Sequence, residues 1–471
     1  MSDVKGKGMP MVRSGTGTDG RVMVEEILAR YADRMCTKMG ISRRSFLSTA
    51  SGMAAAFLAI NAVHGPLFMV DPAEAADPGA AAEAGRRLRK QFIFDVQTHY
   101  VGDKYSEKRI LSLRSEAKKW NPQLRGENAT LDSIRFGPYI KEVFLESDTT
   151  MALLSSAPAD DPGRWFLHNQ EVIKARDKIN SFAGSRRMFA HAIFTPGRRG
   201  WLDGLDTAAE RKPDSWKGYT VGTPFGLSKW PWRMDDEKVV YPGYQRMVKS
   251  GIATICIHKG LLPAGHQILM RPNWRYGATD DIPKAARDWP QLTFVIYHSA
   301  YRSGSPPTRK DIDTFERSGY IPWVSDLARM PRKHGIGNLY AELGSVFALT
   351  AVSNPRYCAG ILGTLIKGFG HERVLWGTDS IWYGSPQWQI EAFRRMEIPE
   401  DLQRKFGFEP LGPADGVVKR AILGGNAARL YGIKTPMAST AWIGSAISSQ
   451  NRKRLGGRHR LSKNCKIKGG R

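Results

Sequence analysis

GIATICIH (251–258) is an apolar run of strand length that ends on a histidine, and three more runs of the chain close on a histidine or an aspartate. LTFVIYH (292–298) closes on His298, RVLWGTD (373–379) on Asp379 and QFIFDVQTH (91–99) on His99. Near-continuous apolar runs mark strands covered on both faces, which is the habit of parallel α/β sheets. Four further runs have the same character: TMALLSS (150–156), MFAHAIF (188–194), WKGYTV (216–221) and NLYAEL (338–343). Stretches with helical spacing separate them, at 166–182, 242–250, 283–288, 310–317, 357–368 and 388–396. Eight strand–helix repeats predict an α/β chain folded as a distorted (β/α)8 TIM barrel with loop insertions over residues 91–433. An open doubly wound sheet is the rival, because 216–221 is a weak run that contains Gly218. No GxGxxG fingerprint follows the first run, which argues against a dinucleotide fold.

The 471 residues leave room for extensions at both ends, and the charge is concentrated there. Of a net +25, the last 21 residues carry nine Lys and Arg with no acid, and the barrel region is only mildly basic. Residues 434–471 read as a basic, disordered tail. It lacks interleaved aromatics, so nucleic acid is not an expected partner. Cys36, Cys256, Cys358 and Cys465 lie far apart and form no CxxC pair, which gives neither a zinc-knuckle nor a disulfide signature. Residues 1–75 read as an N-terminal extension with an export signal: Ser42-Arg43-Arg44-Ser45-Phe46-Leu47, a charge-free stretch from Ser45 to Val70, then AEAA (73–76). The paired arginines resemble the twin-arginine signal of bacteria, which implies the matching export machinery as a partner and a periplasmic or otherwise exported protein. Asn61 and His64 interrupt the apolar stretch, so no stable membrane span is expected. Residues 76–90 read as an Ala/Gly/Arg linker.

Barrel enzymes place their chemistry at the C-terminal ends of the strands, and this is where His99, His258, His298 and Asp379 fall. Imidazole and carboxylate hold divalent ions, with a position left open for water or substrate. His99, His258 and Asp379 therefore form a candidate ligand set for one divalent metal ion, zinc first and manganese as the alternative. Such an ion lowers the pKa of its water or polarises a substrate oxygen. His298 would act beside it as a general acid or polarise a carbonyl, and Asp379 would also accept the proton of the water. A single strand-end histidine is more often structural; four even placements reverse that balance.

Five segments carry a resemblance to a known family: FDVQTH (94–99), CIHKGL (256–261), VIYHSAY (295–301), LWGTDSIWYGSP (375–386) and ILGGNAARLYGI (422–433). The chain resembles the amidohydrolase superfamily, in the branch that contains the aminocarboxymuconate-semialdehyde decarboxylases and related aromatic-acid decarboxylases. The resemblance implies a metal at the C-terminal mouth of the barrel. It carries the first-strand ligand role to His99, the fifth-strand ligand to His258, the sixth-strand catalytic role to His298 and the eighth-strand aspartate role to Asp379. One position departs: where the family has His-x-His, this chain has Gln97-Thr98-His99. Gln97 would be a weak fourth ligand or a water-holder, the ion would be harder than zinc, or the site would be a remnant. Lys217 stands where two-metal relatives carry a carboxylated lysine, and a single ion is expected here. Trp232, Trp274, Tyr301, Trp382 and Tyr383 are candidates for pocket walls, and Arg302 and Lys259 for holding a substrate carboxylate. The expected function is a metal-dependent hydrolase of a small aromatic or carboxylated molecule. A non-oxidative decarboxylase (a lyase) of an aromatic or muconate-like acid is the alternative, and a metal-poor binding barrel a further one. Association into a homo-oligomer is compatible with all three.

Overall fold

A computed structural model describes residues 18–118, 121–124, 126–224 and 226–434. The tail from residue 435 onward lies outside the described residues, as do residues 1–17. Each of the eight apolar runs contains a strand: β1 (Phe94–Thr98), β2 (Met151–Leu154), β3 (Met188–Ile193), β4 (Ser215–Tyr219), β5 (Thr254–His258), β6 (Thr293–Tyr297), β7 (Leu339–Glu342) and β8 (Val374–Leu375). They pair in parallel in sequence order. The seam between β8 and β1 is joined as well: Val96 N donates to Trp376 O at 3.0 Å, Asp379 N to Gln97 O at 2.9 Å and His99 N to Ser380 O at 2.6 Å. The sheet is therefore a barrel, and the open-sheet alternative falls.

Strand alternation divides the side chains between two cores. Inside the barrel, Phe94, Val96, Leu153, Phe189, Cys256, Val295, Tyr297 and Leu375 pack together, with Tyr431 against them. Outside, Trp216, Ile255, Ile257, Phe294 and Ile296 meet the surrounding helices. Inward-facing positions follow the register, so Lys217 lies beside Cys256 and, one layer nearer the mouth, Tyr219 lies beside His258. β1 breaks the alternation. Its register against β2 shifts between Asp95 and Thr98, and a bulge of this kind re-aims the side chains beyond it. Phe94 and Val96 point to the barrel interior, and after the shift Gln97 and His99 reach the mouth.

Ahead of the barrel stand five helices, α1 (Thr18–Met39), α2 (Arg43–Leu47), α3 (Ala50–His64), α4 (Pro72–Ala76) and α5 (Pro78–Leu88). The charge-free stretch is α3, and its Phe57 and Ile60 join the outer core of the barrel. Phe46 of the Arg-Arg-Ser-Phe segment is buried against Met35, Ala54 and Ala75. The Ala/Gly/Arg stretch 76–90 is helical over α5. Asp77 caps α5 through the Gly79 N–H, with Pro78 in the first turn, and Pro there is already set for a helix. Arg395 joins this layer to the barrel through Glu74 at 2.6 Å, next to its bond with Glu391. No helix among the described residues is long and apolar enough to cross a membrane.

Candidate active site

The mouth is built from the ends of β1, β4, β5, β6, β7 and β8. Asp379, just past β8, is the hub. Its Oδ1 accepts from Gln97 Nε2 at 2.9 Å and lies 2.9 Å from His99 Nε2. Its Oδ2 accepts a short bond from Ser345 Oγ, which is also 2.8 Å from Tyr383 OH. His99 is fixed from behind, because its Nδ1 lies 3.0 Å from the Ser155 carbonyl. That contact turns Nε2 toward Asp379.

His298 and His258 form a second pair. His298 Nδ1 donates to Gly344 O at 2.9 Å, and its Nε2 faces His258 Nδ1 at 3.0 Å. Aromatic rings cover both groups: Tyr219 stacks on His258 at 4.8 Å and Trp382 on His99 at 5.4 Å. Glu342, at the end of β7, braces the turn beneath. Its carboxyl accepts from His298 N at 2.9 Å and from Gly344 N at 2.6 Å.

The backbone here is strained. His298, Ser299, Ala300, Ser345 and Asp379 all have positive φ, between 46° and 61°. Such conformations are disfavoured in non-glycine residues and persist where surrounding structure enforces them, often at functional sites. They fall directly after β6, β7 and β8, where the chain must turn sharply to present its side chains.

Burial sets the protonation states. It pushes the Asp379 carboxyl up, but the bonds and charge of His99, with His298 and Ser345, outweigh it and hold the group ionised, well below the usual carboxylate range. Burial drives His298 down to about 4 and, with His298 and Lys217 nearby, drives His258 well below its ordinary value. The imidazole pair is neutral at pH 7. Burial raises Glu342 to about 8, against its hydrogen bonds to His298 and Gly344. Burial also lowers Lys217 to about 7.

Gln97, His99, His258, His298, Asp379, Trp382 and Tyr383 thus meet at the mouth. The other candidates do not. Tyr301 packs in the outer core beside Tyr357 and Cys358, because the turn at 298–300 carries it out of the mouth. Arg302 pairs with Asp311 at 3.1 Å. Lys259 is buried on both oxygens of Asp281 at 2.8 Å. Trp232 lies against Phe194 on the outer side of β4, and Trp274 packs near Val221, Leu262 and Met270. Ser345, Glu342 and Tyr219 were not foreseen. Only Glu342 left a signal, as a lone carboxylate within an apolar run.

The donors bear on the metal question. Among the described residues, no group of three or more His, Cys, Asp or Glu side chains is arranged to hold a metal ion. His258 is turned to His298 and does not complete a three-ligand set with His99 and Asp379. His99 Nε2 and Asp379 Oδ1 are adjacent, and Gln97 turns its Nε2 to both, 2.9 Å from Asp379 Oδ1 and 3.4 Å from His99 Nε2, while its Oε1 is buried with no hydrogen-bond partner. Turning the Gln97 amide over would bring its oxygen to this point, and two oxygens with one nitrogen suit a hard ion.

Residues 182–433 match the family model described as amidohydrolase. No curated protein matches the chain. Solved structures with a similar fold include an uncharacterised TIM-barrel protein from Bordetella bronchiseptica, at 15% identity over 72% of this chain and 98% of that one, with a TM-score of 0.47. Another is 5-carboxyvanillate decarboxylase from Sphingomonas paucimobilis, at 15% identity over 73% and 100%, TM-score 0.41. A third is a dihydroxybenzoic acid decarboxylase from a Polaromonas species, with bound manganese, at 14% identity over 75% and 100%, TM-score 0.41.

Proposed function

We propose, for a chain that belongs to the amidohydrolase family, that the barrel mouth is the hydrolytic centre of an enzyme for small aromatic or carboxylated molecules. The observation that carries the reading is Asp379. It is a carboxylate only 5% exposed, kept ionised by His99 and Ser345, hydrogen-bonded by Gln97 and set beside two neutral imidazoles. A buried carboxylate held in one geometry is suited to positioning an attacking water and to accepting its proton as the new bond to the carbonyl carbon forms and the water turns acidic. Gln97, Ser345 and His99 fix its two oxygens. The proton taken by Asp379 would go on to the leaving group, and the neutral His298, oriented by Glu342 and Gly344, would stand beside the reacting carbonyl with its Nε2 toward His258. Trp382, Tyr219 and Tyr383 exclude bulk water and offer flat surfaces to an aromatic ring. A divalent ion held by His99, Asp379 and the Gln97 amide oxygen would supply positive charge for polarising the scissile carbonyl.

Carboxy-lyase chemistry is the second reading, favoured by the dryness of the site. His298 is only 1% exposed and His99 only 2%, and loss of carbon dioxide from a carboxylate is helped when the carboxylate is stripped of water. The test is a panel of aryl esters, aromatic lactones and aromatic acids, assayed for released phenol or acid and for carbon dioxide, with metal content measured on the same preparation. Hydrolysis is expected for wild type and a loss of at least about a hundredfold for Asp379→Asn, the scale of removing a positioned proton acceptor. Release of carbon dioxide without ester cleavage would replace the first reading by the second. No turnover, with bound metal well below one per chain, would favour a binding barrel.

The same reading includes export through the Arg43-Arg44 segment. A reporter fused after residue 90 is expected in the periplasm of a bacterium, and Arg43→Lys with Arg44→Lys is expected to keep it in the cytoplasm.

A further inference from the structure

If the substrate is anionic, some cation must receive it, and the two cations nearest the strand ends in sequence are already occupied: Lys259 by Asp281 and Arg302 by Asp311. The barrel interior holds a third. Lys217 is 0% exposed, and its Nζ has no hydrogen-bond partner. It lies 3.2 Å from the centre of the Tyr297 ring and 5.3 Å from that of Tyr219. An ammonium buried without an acceptor is unfavourable unless it loses its proton or meets an anion, and the ring faces compensate only in part.

The two carboxylates whose charge reaches Lys217, Glu342 and Asp379, are not free to turn to it. Glu342 is tied to the backbone of His298 and Gly344. Asp379 is tied to His99, Gln97 and Ser345. The amine also sits one inward position below Tyr219, whose ring stacks on His258. It therefore lies beneath the mouth with its acceptor missing.

We propose that Lys217 is the anion-binding group of this site and that its partner is the acid group of a small aromatic carboxylate, which enters through the mouth with its ring among Tyr219, Trp382 and Tyr383. This deepens the reading of the mouth as a centre for small aromatic or carboxylated molecules and rests on it. Lys217 has no chemical step in this assignment: it binds and orients.

The test is binding without turnover, so that a protein with no hydrolase activity still decides it. Benzoate and 4-hydroxybenzoate are compared with benzamide, a neutral molecule of the same shape, by titration calorimetry and by thermal melting of the full chain. Wild type is expected to bind the two acids and to melt at a higher temperature in their presence, with no shift from benzamide. Lys217→Met is expected to weaken the acids at least tenfold and leave benzamide unchanged, while Lys217→Arg retains part of the affinity. Three results overturn the proposal: equal binding of acids and amide, equal binding by wild type and Lys217→Met, or no melting shift of wild type with either acid. A carbon-13 carbamate signal on Lys217 after labelling with bicarbonate would also overturn it, because the amine would already be consumed. If Lys217→Met does not fold, Lys217→Gln takes its place in the same titrations, and acid affinity equal to that of wild type overturns the proposal.

Discussion

At the scale of single residues, Asp379 depends on neighbours that hold it ionised. Burial alone would raise its pKa, and the Ser345 hydroxyl is among the contacts that lower it. Ser345→Ala removes one of them, so the Asp379 pKa rises and the acidic limb of the pH–rate profile moves to higher pH. A drop in kcat of about tenfold is expected, the effect of one charge-assisted hydrogen bond, measured on whichever ester proves to be a substrate. Glu342 yields a stability prediction. Its folded pKa of about 8 lies above the reference 4.5, so its contribution to stability is full below 4.5 and is lost as pH rises through 8. Glu342→Gln is expected to flatten that loss, by as much as ~1.4 kcal/mol per pH unit over the window; urea unfolding midpoints at pH 5, 6.5 and 8 would reveal it. His99, His258, His298 and Asp379 were legible because each ends an apolar run. Tyr301 and Arg302 were misread because nearness to a strand end in sequence does not say which side of the barrel the chain takes next, and Trp232 because a long excursion can pack against either side. Ser345 left no trace, since a small polar residue after a strand fits any turn.

At the scale of elements, β4 explains why its run looked weak. A Cβ on Gly218 would stand 2.8 Å from both Phe194 and Trp232. The glycine that breaks the apolar run is therefore a packing requirement, where a helix-side aromatic pair presses against the outer face of the strand. Gly218→Val is expected to destabilise by about 1–3 kcal/mol through overpacking. Trp232→Ala is expected to cost about 3–5 kcal/mol through the cavity it leaves. Neither should change benzoate affinity at temperatures where the variants remain folded, since both act on the outer face; calorimetry and denaturant titration on the same samples separate the two effects. β1 shows what a pattern cannot reveal. Gln97 and His99 share the mouth only because the register shifts after Asp95, and nothing in FDVQTH announces the bulge.

At the scale of the whole molecule, eight repeats made the barrel legible, because buried parallel strands have little freedom in composition. The N-terminal layer was harder to read. A weakly apolar, Ala-rich stretch has the same composition whether it is an export signal or a helix laid on a protein surface, as α3 is. Glu74→Ala tests that attachment. It leaves Arg395 bonded to Glu391 but deprives it of one buried acceptor, and a loss of about 2 kcal/mol is expected by chemical denaturation.

Docking also bears on the order of events in the life of the chain. Ala73-Glu74-Ala75-Ala76 lies within α4, with Asp71 capping the helix start and Arg395 gripping Glu74. If this segment is the cleavage site of an export leader, as the proposed function has it, a peptidase that needs an extended target bond would meet it coiled and clamped. If the leader is to be removed, the cut has to be made before this helix settles on the barrel.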